Sequence, residues 1–386
     1  MSVIKTKPAG VTPVRDHAAL YDELTEGRTI GLRAEELLER AAASQPGLVP
    51  GADEIAAERR RGLREQEGIE LSQGRLLAAW LGDPGIGTHL IQSMLRPKRE
   101  SLELLPRYAS DGRVDLAAAT VERQGNLGVV TLTRPERLNA ENDETTVALE
   151  TAVDLVLLDP GSEVGVLRGG EVEHPRYRGR RVFSSGLDLS ELYAGGLSYL
   201  FFIVRELGFV AKMLRGAGSV EGWVEVPWLA GVETFAIGGG AQLLLVMDRV
   251  VAEPGAQLSL PASREGIIPG AAALRLPRFT GLSLARRSIM FDERWAAESP
   301  EGRLLVDELV DADAIGDAIA AAAERLLAMG EVSVLANRRA LRAAQEPLDA
   351  FRAFMSTYAI EQARCLTSDA LVENLERTWV GRRSES

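Results

Sequence analysis

The sequence contains few of the residues that bind metal ions. Its 386 residues include a single cysteine, Cys365, and only three histidines, His17, His89 and His174, which stand far apart in the chain. One cysteine excludes internal disulfides, iron–sulfur clusters and thiolate zinc sites, and scattered histidines disfavour an iron site of two histidines and one carboxylate. We therefore expect no metal site.

Long hydrophobic runs are missing as well. The first residues, MSVIKTKPAGVTPVRD, lack the apolar stretch of a secretory signal, and no later segment approaches the length of a transmembrane helix. The 56 acidic residues outnumber the 44 basic ones, and the net charge of −12 disfavours a general nucleic-acid-binding surface. Since 46% of the residues are hydrophobic, the chain can still bury a large core. These features predict a cytoplasmic globular protein that binds neither membranes nor nucleic acids.

The first part of the chain has the pattern of helices. From about residue 15 to residue 116, apolar residues recur at spacings of three and four, for example in 34–40 and 74–81. Strand signals are nearly absent from this part, so we expect a purely helical unit.

Past residue 116 the pattern changes to that of an α/β structure. Residues 119–123 and 129–133 flank the turn-forming Gln124-Gly125-Asn126, which predicts a β-hairpin. Further on, strand patterns alternate with helical patterns, which indicates α/β layering. The predicted strands are 164–167, 182–183 and 228–232, and the predicted helices are 145–158 and 242–246.

The sequence therefore predicts an α/β protein with three consecutive units. They are an N-terminal helical domain (1–115), an α/β core (116–310) and a C-terminal helical region (311–386), in which long amphipathic helices return. Two candidate loops lie within the core, at 169–179 and at 216–227.

Two short segments place glycine beside backbone N–H groups that could bind a ligand. The first, 183–189 (FSSGLDL), follows a predicted strand, and the second, 236–242 (AIGGGAQ), lies between a strand and an apolar helix. Paired N–H donors of this kind can form an oxyanion hole, and a helix N-terminus favours negative charge. Each segment alone favours tight turns and close packing, whereas the two together favour an oxyanion hole. A dinucleotide-binding loop is disfavoured, because Leu243 stands where its spacing needs a glycine.

Four segments, in order, resemble the signature segments of the crotonase (enoyl-CoA hydratase/isomerase) superfamily. They are residues 135–140, 183–189, 227–242 and 265–270, and the resemblance runs from about residue 116 to the C-terminus. It implies a crotonase fold of repeated ββα units, a homo-oligomer that is a trimer or a dimer of trimers (a hexamer), and an acyl-CoA substrate. By position in these segments, Leu187 and Gly239 carry the N–H groups of the oxyanion hole.

Two positions depart from the pattern of the hydratases in this superfamily. Where those enzymes carry catalytic glutamates, this chain has Gln242 and Ala262. An amide and a methyl group cannot act as the acid and base that add water across a double bond, and Glu265 lies three residues away from the expected place. The sequence therefore disfavours hydration, while stabilisation of an enolate remains possible.

Within the superfamily, the chain looks most like the cofactor-independent dioxygenases of aryl-acetyl-CoA thioesters in antibiotic biosynthesis. The helical N-terminal extension and residues 265–272, 335–339 and 351–354 carry this likeness, which spans nearly the whole chain. It implies that 3,5-dihydroxyphenylacetyl-CoA and O2 are converted to 3,5-dihydroxyphenylglyoxylate and free CoA through an enolate and a peroxide. No metal or organic cofactor is implied, since O2 is a co-substrate and CoA is part of the substrate.

The same resemblance implies which residues bind the aryl ring. Glu141, Arg205 and Gln242 match positions that line the aryl pocket and meet ring hydroxyls. This set is chemically consistent, because arginine donates in a fixed fork, glutamate accepts from a phenol and an amide can do either. The alternative is that Arg205 and its neighbour Glu206 belong to a surface lattice of ion pairs.

Dioxygen is apolar, so we expect a dry cavity for it near the enolate. Ordinary core packing is the alternative for each residue that could line this cavity. The candidates are Leu187, Leu189, Ile237, Ile267 and Ile268.

Members of the superfamily often carry basic residues near Arg137 and Arg181. These two arginines are therefore candidates for binding the CoA phosphates, and the alternative is that both are simply solvated.

Three other functions remain compatible with the sequence. Enolate chemistry without O2 would make the protein an isomerase or a thioesterase for an aryl-acetyl-CoA. A catalytically silent paralogue that only binds acyl-CoA is the third possibility. No residue is identified as the base that removes the α-proton.

Overall fold

The computed structural model of this protein describes residues 16–219 and 222–380. Residues 1–15, on which the expected lack of a secretory signal rests, lie outside the described residues, as do residues 220–221 of the loop expected at 216–227. Within the described ranges, we find no helix that combines the length and the apolar character needed to cross a membrane.

Helices precede the first strand, which confirms the helical pattern of the first part of the chain. Two of them begin with an aspartate cap: Asp16 accepts the N–H of Ala19, and Asp83 accepts the N–H of Ile86, with Pro84 at the first helical position. The helices are α1 (His17–Leu24), α2 (Ala34–Ser44), α3 (Ala52–Arg59), α4 (Leu71–Gly82), α5 (Pro84–Met94) and α6 (Arg99–Asp111).

The strands of the described chain lie between residues 113 and 309. They are β1 (Arg113–Leu116), β2 (Ala119–Gln124), β3 (Leu127–Leu132), β4 (Val164–Gly169), β5 (Ala217–Ser219), β6 (Gly222–Val224), β7 (Trp228–Val232), β8 (Phe235–Ile237), β9 (Arg249–Ala252), β10 (Gln257–Ser259), β11 (Trp295–Ala296) and β12 (Glu308–Leu309).

The main sheet has the order β1-β2-β3-β4-β7-β9-β12. Its first three strands pair antiparallel and the remaining neighbours pair parallel. A second sheet has the order β11-β10-β8, and β5 pairs with β6. The predicted hairpin is confirmed, with Val121 opposite Val130. The strand predicted at 182–183 is wrong, because the chain makes only single bridges there, Glu171 with Arg181 and Ser184 with Ala236.

The remaining helices follow the hairpin and end the described chain. The helix predicted at 145–158 is confirmed, and the one predicted at 242–246 begins earlier, directly at the glycine turn. These helices are α7 (Asp143–Leu158), α8 (Leu189–Tyr193), α9 (Tyr199–Arg205), α10 (Ala211–Arg215), α11 (Gly239–Leu244), α12 (Ala262–Glu265), α13 (Ala272–Phe291), α14 (Ile315–Leu327), α15 (Glu331–Gln345), α16 (Leu348–Leu366) and α17 (Asp369–Leu375).

The N-terminal and C-terminal helices share one hydrophobic core. Buried residues of α1, α2, α4 and α5 form a single cluster with those of α9 and α16, apart from the cluster around the main sheet. The closest approach is between α4 and α16, where a Cβ on Gly74 would lie 2.4 Å from the Cβ of Ala363. The boundaries expected near residues 115 and 310 stay a prediction.

Buried charges tie the N-terminal helices to the core. Arg33 donates to Glu150 at 2.8 Å, and Lys212, which is fully buried, lies between Glu150 (2.9 Å) and Asp154 (2.7 Å). Burial alone would raise the pKa of Glu150, but the charges of Lys212 and Arg33 lower it below its ordinary value. Glu150 also packs against Gly208 in a wide π-helical turn, 206–210, which follows α9. This packing helps to position Arg205, the last residue of α9.

Candidate active site

The two glycine-containing segments lie side by side. Ser184 bridges Ala236, and the N–H of Ile237 donates to the carbonyl of Ser184 at 3.0 Å. A Cβ on Gly186 would lie only 3.1 Å from the backbone nitrogen of Gly239. Gly186 and Gly238 both have positive φ angles, +83° and +53°, which bring the two turns into contact.

The backbone N–H groups of Leu187 and Gly239 at this contact have no acceptor in the part of the chain that the structure describes. Their neighbours are engaged, since Gly186 donates to the hydroxyl of Ser184 at 3.0 Å and Gly238 to the carbonyl of Ser259 at 2.8 Å. The amide of Gly239 is free because this residue begins α11, a helix of only six residues. The sequence-predicted pair of oxyanion donors therefore lies together in the fold.

Arg205 is a buried cation whose five N–H groups all have acceptors within the protein. The side chain is buried at 3% exposure and does not belong to a surface lattice of ion pairs. Its bonds run to Glu141 Oε2 (2.5 Å), Glu141 Oε1 (3.2 Å), Glu206 Oε1 (2.7 Å), Gln242 Oε1 (3.0 Å) and the carbonyl of Gly239 (2.9 Å).

This arrangement holds the charge of Arg205 in place. Burial would lower its pKa, but the carboxylates of Glu141 and Glu206 more than offset that effect and raise the pKa above its ordinary value. Gln242 accepts from Arg205 through its side-chain oxygen, and its side-chain NH2 has no protein acceptor among the described residues. The three residues that sequence reasoning assigned to the aryl pocket are thus brought together.

The ion pairs continue from Arg205 into the C-terminal part of the chain. Glu206 also pairs with Arg275 (3.2 Å), and Arg275 pairs with Glu346 (3.0 Å), which in turn pairs with Arg215 (2.9 Å). The positive charge of Arg275 and its neighbours lowers the pKa of Glu346 to about 2, although burial acts in the opposite direction. Sequence reasoning missed this network, because its members are distant in the chain.

An inner cavity lies next to the two free amides. It measures about 30 Å³ and is lined in part by Leu187, Gly239, Ile267, Ile268 and Tyr358. Such a volume holds a molecule the size of water or O2, whereas benzene occupies a cavity of about 150 Å³. An aromatic ring can therefore enter only when lining side chains move.

A larger outer cavity of about 460 Å³ opens beside the inner one. Leu187 lines both cavities and stands at their junction, while Gly239 lines the inner cavity. Two predicted O2-pocket residues, Leu189 and Ile237, line the outer cavity instead of the inner one. Three arginines also line it, Arg137 and two that sequence reasoning missed, Arg264 and Arg294.

Arg181, the other arginine predicted to bind CoA, lies elsewhere. Its guanidinium donates to the carbonyl of Gly169 at 2.9 Å, and it is not among the residues that line the outer cavity. Within residues 16–219 and 222–380, no group of three or more histidine, cysteine or acidic side chains is arranged to hold a metal ion.

The sequence model of one family, described as enoyl-CoA hydratase/isomerase, matches residues 122–362. The chain is 48% identical over 356 residues to (3,5-dihydroxyphenyl)acetyl-CoA 1,2-dioxygenase of Amycolatopsis orientalis, covering 91% of this chain and 81% of that protein. It is 30% identical over 207 residues to a probable enoyl-CoA hydratase of Rhizobium meliloti, covering 53% of this chain and 74% of that protein.

Solved structures resemble the fold. A carnitinyl-CoA hydratase from Mycobacterium avium superposes with a TM-score of 0.57 at 25% identity, covering 69% of this chain and 97% of that one. An enoyl-CoA hydratase/isomerase from Mycobacterium paratuberculosis gives a TM-score of 0.57 at 23% identity, covering 68% of this chain and 100% of that one. The predicted α/β fold of repeated ββα units with additional helices is therefore confirmed.

Proposed function

The chain belongs to the enoyl-CoA hydratase/isomerase family, and from this premise we propose that it is a cofactor-independent dioxygenase of an aryl-acetyl-CoA thioester. It converts 3,5-dihydroxyphenylacetyl-CoA and O2 into 3,5-dihydroxyphenylglyoxylate and free CoA. The observation that carries this proposal is the pair of free amides, Leu187 and Gly239, beside a buried polar cluster. The dioxygenase of Amycolatopsis orientalis, 48% identical over 91% of this chain, supports the choice of substrate.

The two residues at the places of the hydratase glutamates do not favour hydration, although Glu265 also lines the inner cavity. Gln242 and Ala262 both line the inner cavity, at the two places where hydratases of the family carry glutamates. Neither side chain can transfer a proton to or from water at neutral pH. The same cavity retains the donors that stabilise an enolate, so chemistry at the α-carbon remains.

The mechanism begins at the thioester carbonyl. The amides of Leu187 and Gly239 donate to its oxygen, and loss of an α-proton leaves an enolate that is delocalised over the thioester and the ring. Each such donor stabilises the developing negative charge by about 2.7–4 kcal/mol. Stabilising this charge is the contribution that the two amides make to the reaction.

The enolate then reacts with O2 directly. One electron passes to O2, and recombination forms a C–O bond at the α-carbon and a peroxide. The peroxide attacks the thioester carbonyl and expels CoA as a thiolate, which takes up a proton to give free CoA. The resulting cyclic peroxide loses its remaining α-proton as the O–O bond breaks, which leaves the aryl glyoxylate with both oxygen atoms. Ile267 and Ile268 give O2 an apolar wall in the inner cavity, with Leu187 beside them, and Leu189 and Ile237 line its approach from the outer cavity.

The outer cavity suits the CoA part of the substrate. Our candidate partners for the CoA phosphates are the arginines that line this cavity, Arg137, Arg264 and Arg294. One guanidinium group can donate to two oxygens of a phosphate at once. Arg181 stays a candidate from the family pattern alone. We further propose that the protein is cytoplasmic and assembles as a trimer or a dimer of trimers, as the resemblance implies.

Oxygen uptake and CoA release test the proposed reaction. Purified, chelator-treated protein is given 3,5-dihydroxyphenylacetyl-CoA in an oxygen electrode, with a thiol reagent in a parallel assay. We expect one O2 consumed for each CoA released, without added metal. CoA release without oxygen uptake would instead identify a thioesterase, and the absence of both would favour an isomerase or a silent acyl-CoA-binding protein.

Arg205→Lys tests whether Arg205 positions Glu141 and Gln242 for the hydroxyls of the substrate ring. A lysine has three donors and cannot serve the five bonds that Arg205 makes, so buried acceptors on Glu141 and Glu206 lose their partners. We expect kcat/KM for the dihydroxylated substrate to fall by about 10–100-fold. The half-exposed Arg339, which pairs with Glu225, is the matched control, and its change to lysine should alter kcat/KM less than about twofold. If Arg205→Lys left the affinity and the rate unchanged, Arg205 would have no part in recognition of the aryl ring.

A further inference from the structure

Tyr358 is a buried tyrosine whose hydroxyl has no hydrogen-bond partner among the described residues. It lies on α16, is 2% exposed and lines the inner cavity. Its ring stacks on that of Phe354, with 6.0 Å between the ring centroids. A buried phenol normally has a partner, because leaving its hydroxyl unpaired is costly and phenylalanine would pack equally well. The hydroxyl therefore calls for a partner that enters the cavity.

The inner cavity that Tyr358 lines is also lined by the polar cluster of Glu141, Arg205, Glu206 and Gln242. The charges of Glu206 and Arg205 both act on Tyr358, although burial is the largest cause of its strongly raised pKa. The phenol is therefore neutral at every pH at which an enzyme works and can donate one hydrogen bond. Since the donors of Arg205 are all engaged, the uncommitted side-chain donors that line the cavity, among the described residues, are the hydroxyl of Tyr358 and the NH2 of Gln242.

On the basis of the proposed function, we infer that Tyr358 forms a hydrogen bond with one ring hydroxyl of the aryl-acetyl-CoA substrate and so helps to select a dihydroxylated ring. The second ring hydroxyl meets Gln242 and Glu141. Two separate polar contacts match a ring with two hydroxyls, whereas a ring with one hydroxyl leaves one of the contacts unpaired.

This assignment also gives the N-terminal helices a role in specificity. Tyr358 is brought to the cavity by α16, and α16 packs along α4 through the close contact at Gly74. The N-terminal helices thus hold in place the helix that delivers Tyr358.

The test is a calorimetric titration of wild type and Tyr358→Phe under argon, so that binding is measured without turnover. The ligands are 3,5-dihydroxyphenylacetyl-CoA and 3-hydroxyphenylacetyl-CoA. We expect Tyr358→Phe to raise Kd about tenfold for the first ligand, as for the loss of one hydrogen bond. For the second ligand we expect less than about a twofold change, because rotation of the ring places its single hydroxyl at Gln242.

Tyr199→Phe is the matched control. The hydroxyl of Tyr199 is also buried and also contacts α16, through the carbonyl of Ala359 at 2.9 Å, but Tyr199 does not line the inner cavity. This variant should lower the melting temperature and leave the ratio of the two Kd values unchanged.

Three results would contradict the assignment of Tyr358. The first is an equal rise in Kd for both ligands, and the second is an unchanged Kd for both. The third is a lower kcat with unchanged Kd, which would place the hydroxyl of Tyr358 at O2 or the peroxide instead of the ring. Oxygen uptake by the wild type decides the reaction separately. If the wild type binds the ligand tightly, depends on Tyr358 for binding and takes up no oxygen, the proposed dioxygenase reaction is wrong but the hydrogen bond from Tyr358 stands. If the wild type binds neither ligand, both the reaction and the hydrogen bond are wrong.

Discussion

Gly239→Ala is expected to lower kcat by about 100–1,000-fold, the loss typical of one oxyanion-hole donor. A Cβ at this position would lie 2.2 Å from Glu141 Oε1 and 3.3 Å from an Nη atom of Arg205. Neither group can retreat easily, since both are buried and paired with each other. The turn must therefore shift, and the amide of Gly239 no longer points to the place of the thioester oxygen.

Steady-state kinetics of CoA release measure this loss, with Gly316→Ala as the control. Gly316 lies in α14, where a Cβ would have ordinary contact at 3.6 Å with Arg168. Alanine favours a helix there, so the control should keep its activity within about twofold and gain slightly in stability. If Gly239→Ala kept kcat within about fivefold of the wild type, Gly239 could not be an oxyanion donor.

Glu346→Gln is expected to lower the free energy of unfolding by about 3–5 kcal/mol at neutral pH. The Glu346 carboxylate is buried at 2% exposure and pairs with Arg215, Arg275 and Arg278 at 2.9–3.0 Å. An amide removes the negative charge and leaves the buried Arg215 without a counter-charge, while the partly exposed Arg278 loses its partner. Urea unfolding at constant protein concentration, followed by circular dichroism, measures the difference.

The stabilisation of the fold by Glu346 should depend on pH. The pKa of Glu346 falls from 4.5 to about 2 in the folded protein, so its stabilising contribution is complete above pH 4.5 and is lost as the pH falls towards 2. A shift of this size corresponds to about 3 kcal/mol. We expect the difference between wild type and Glu346→Gln to be largest near pH 7 and to shrink below pH 4.5.

Glu361→Gln is the control for this prediction. Glu361 pairs with Arg364 on the exposed face of α16, where both side chains are nearly half exposed. The change should cost less than about 1 kcal/mol, since solvent screens such pairs. An effect of Glu346→Gln as small as that of Glu361→Gln would show that the buried network does not stabilise the fold.

The amides of Leu187 and Gly239, which have no acceptor among the described residues, could be picked out from the sequence because they depend on local backbone geometry. The glycines before Leu187 and Gly239 allow the positive φ angles that free the two amides, and this requirement is visible in a stretch of a few residues. The hairpin at 119–133 was predictable for the same reason. The strand predicted at 182–183 is wrong, because Val182 and Phe183 are buried in hydrophobic clusters but this stretch makes only single bridges and no ladder.

The state of Arg205 could not be predicted from local patterns. Its partners Glu141 and Gln242 stand 64 and 37 residues away in the chain, and only the packed structure shows that all five of its N–H groups are engaged. Tyr358 was missed because a tyrosine on an amphipathic helix looks the same whether it faces a core or a cavity.

By itself, the sequence determined the α/β class with helices before and after the strands, the two glycine turns, the absence of the hydratase glutamates and the family. These features follow from residue types at short spacings, which constrain the backbone directly. Only the tertiary structure decided which side chains share the inner cavity, which of them keep an unused donor, and that Arg181 lies apart from the arginines of the outer cavity. Burial and hydrogen-bond satisfaction depend on contacts between distant segments, so they exist only once the chain is packed.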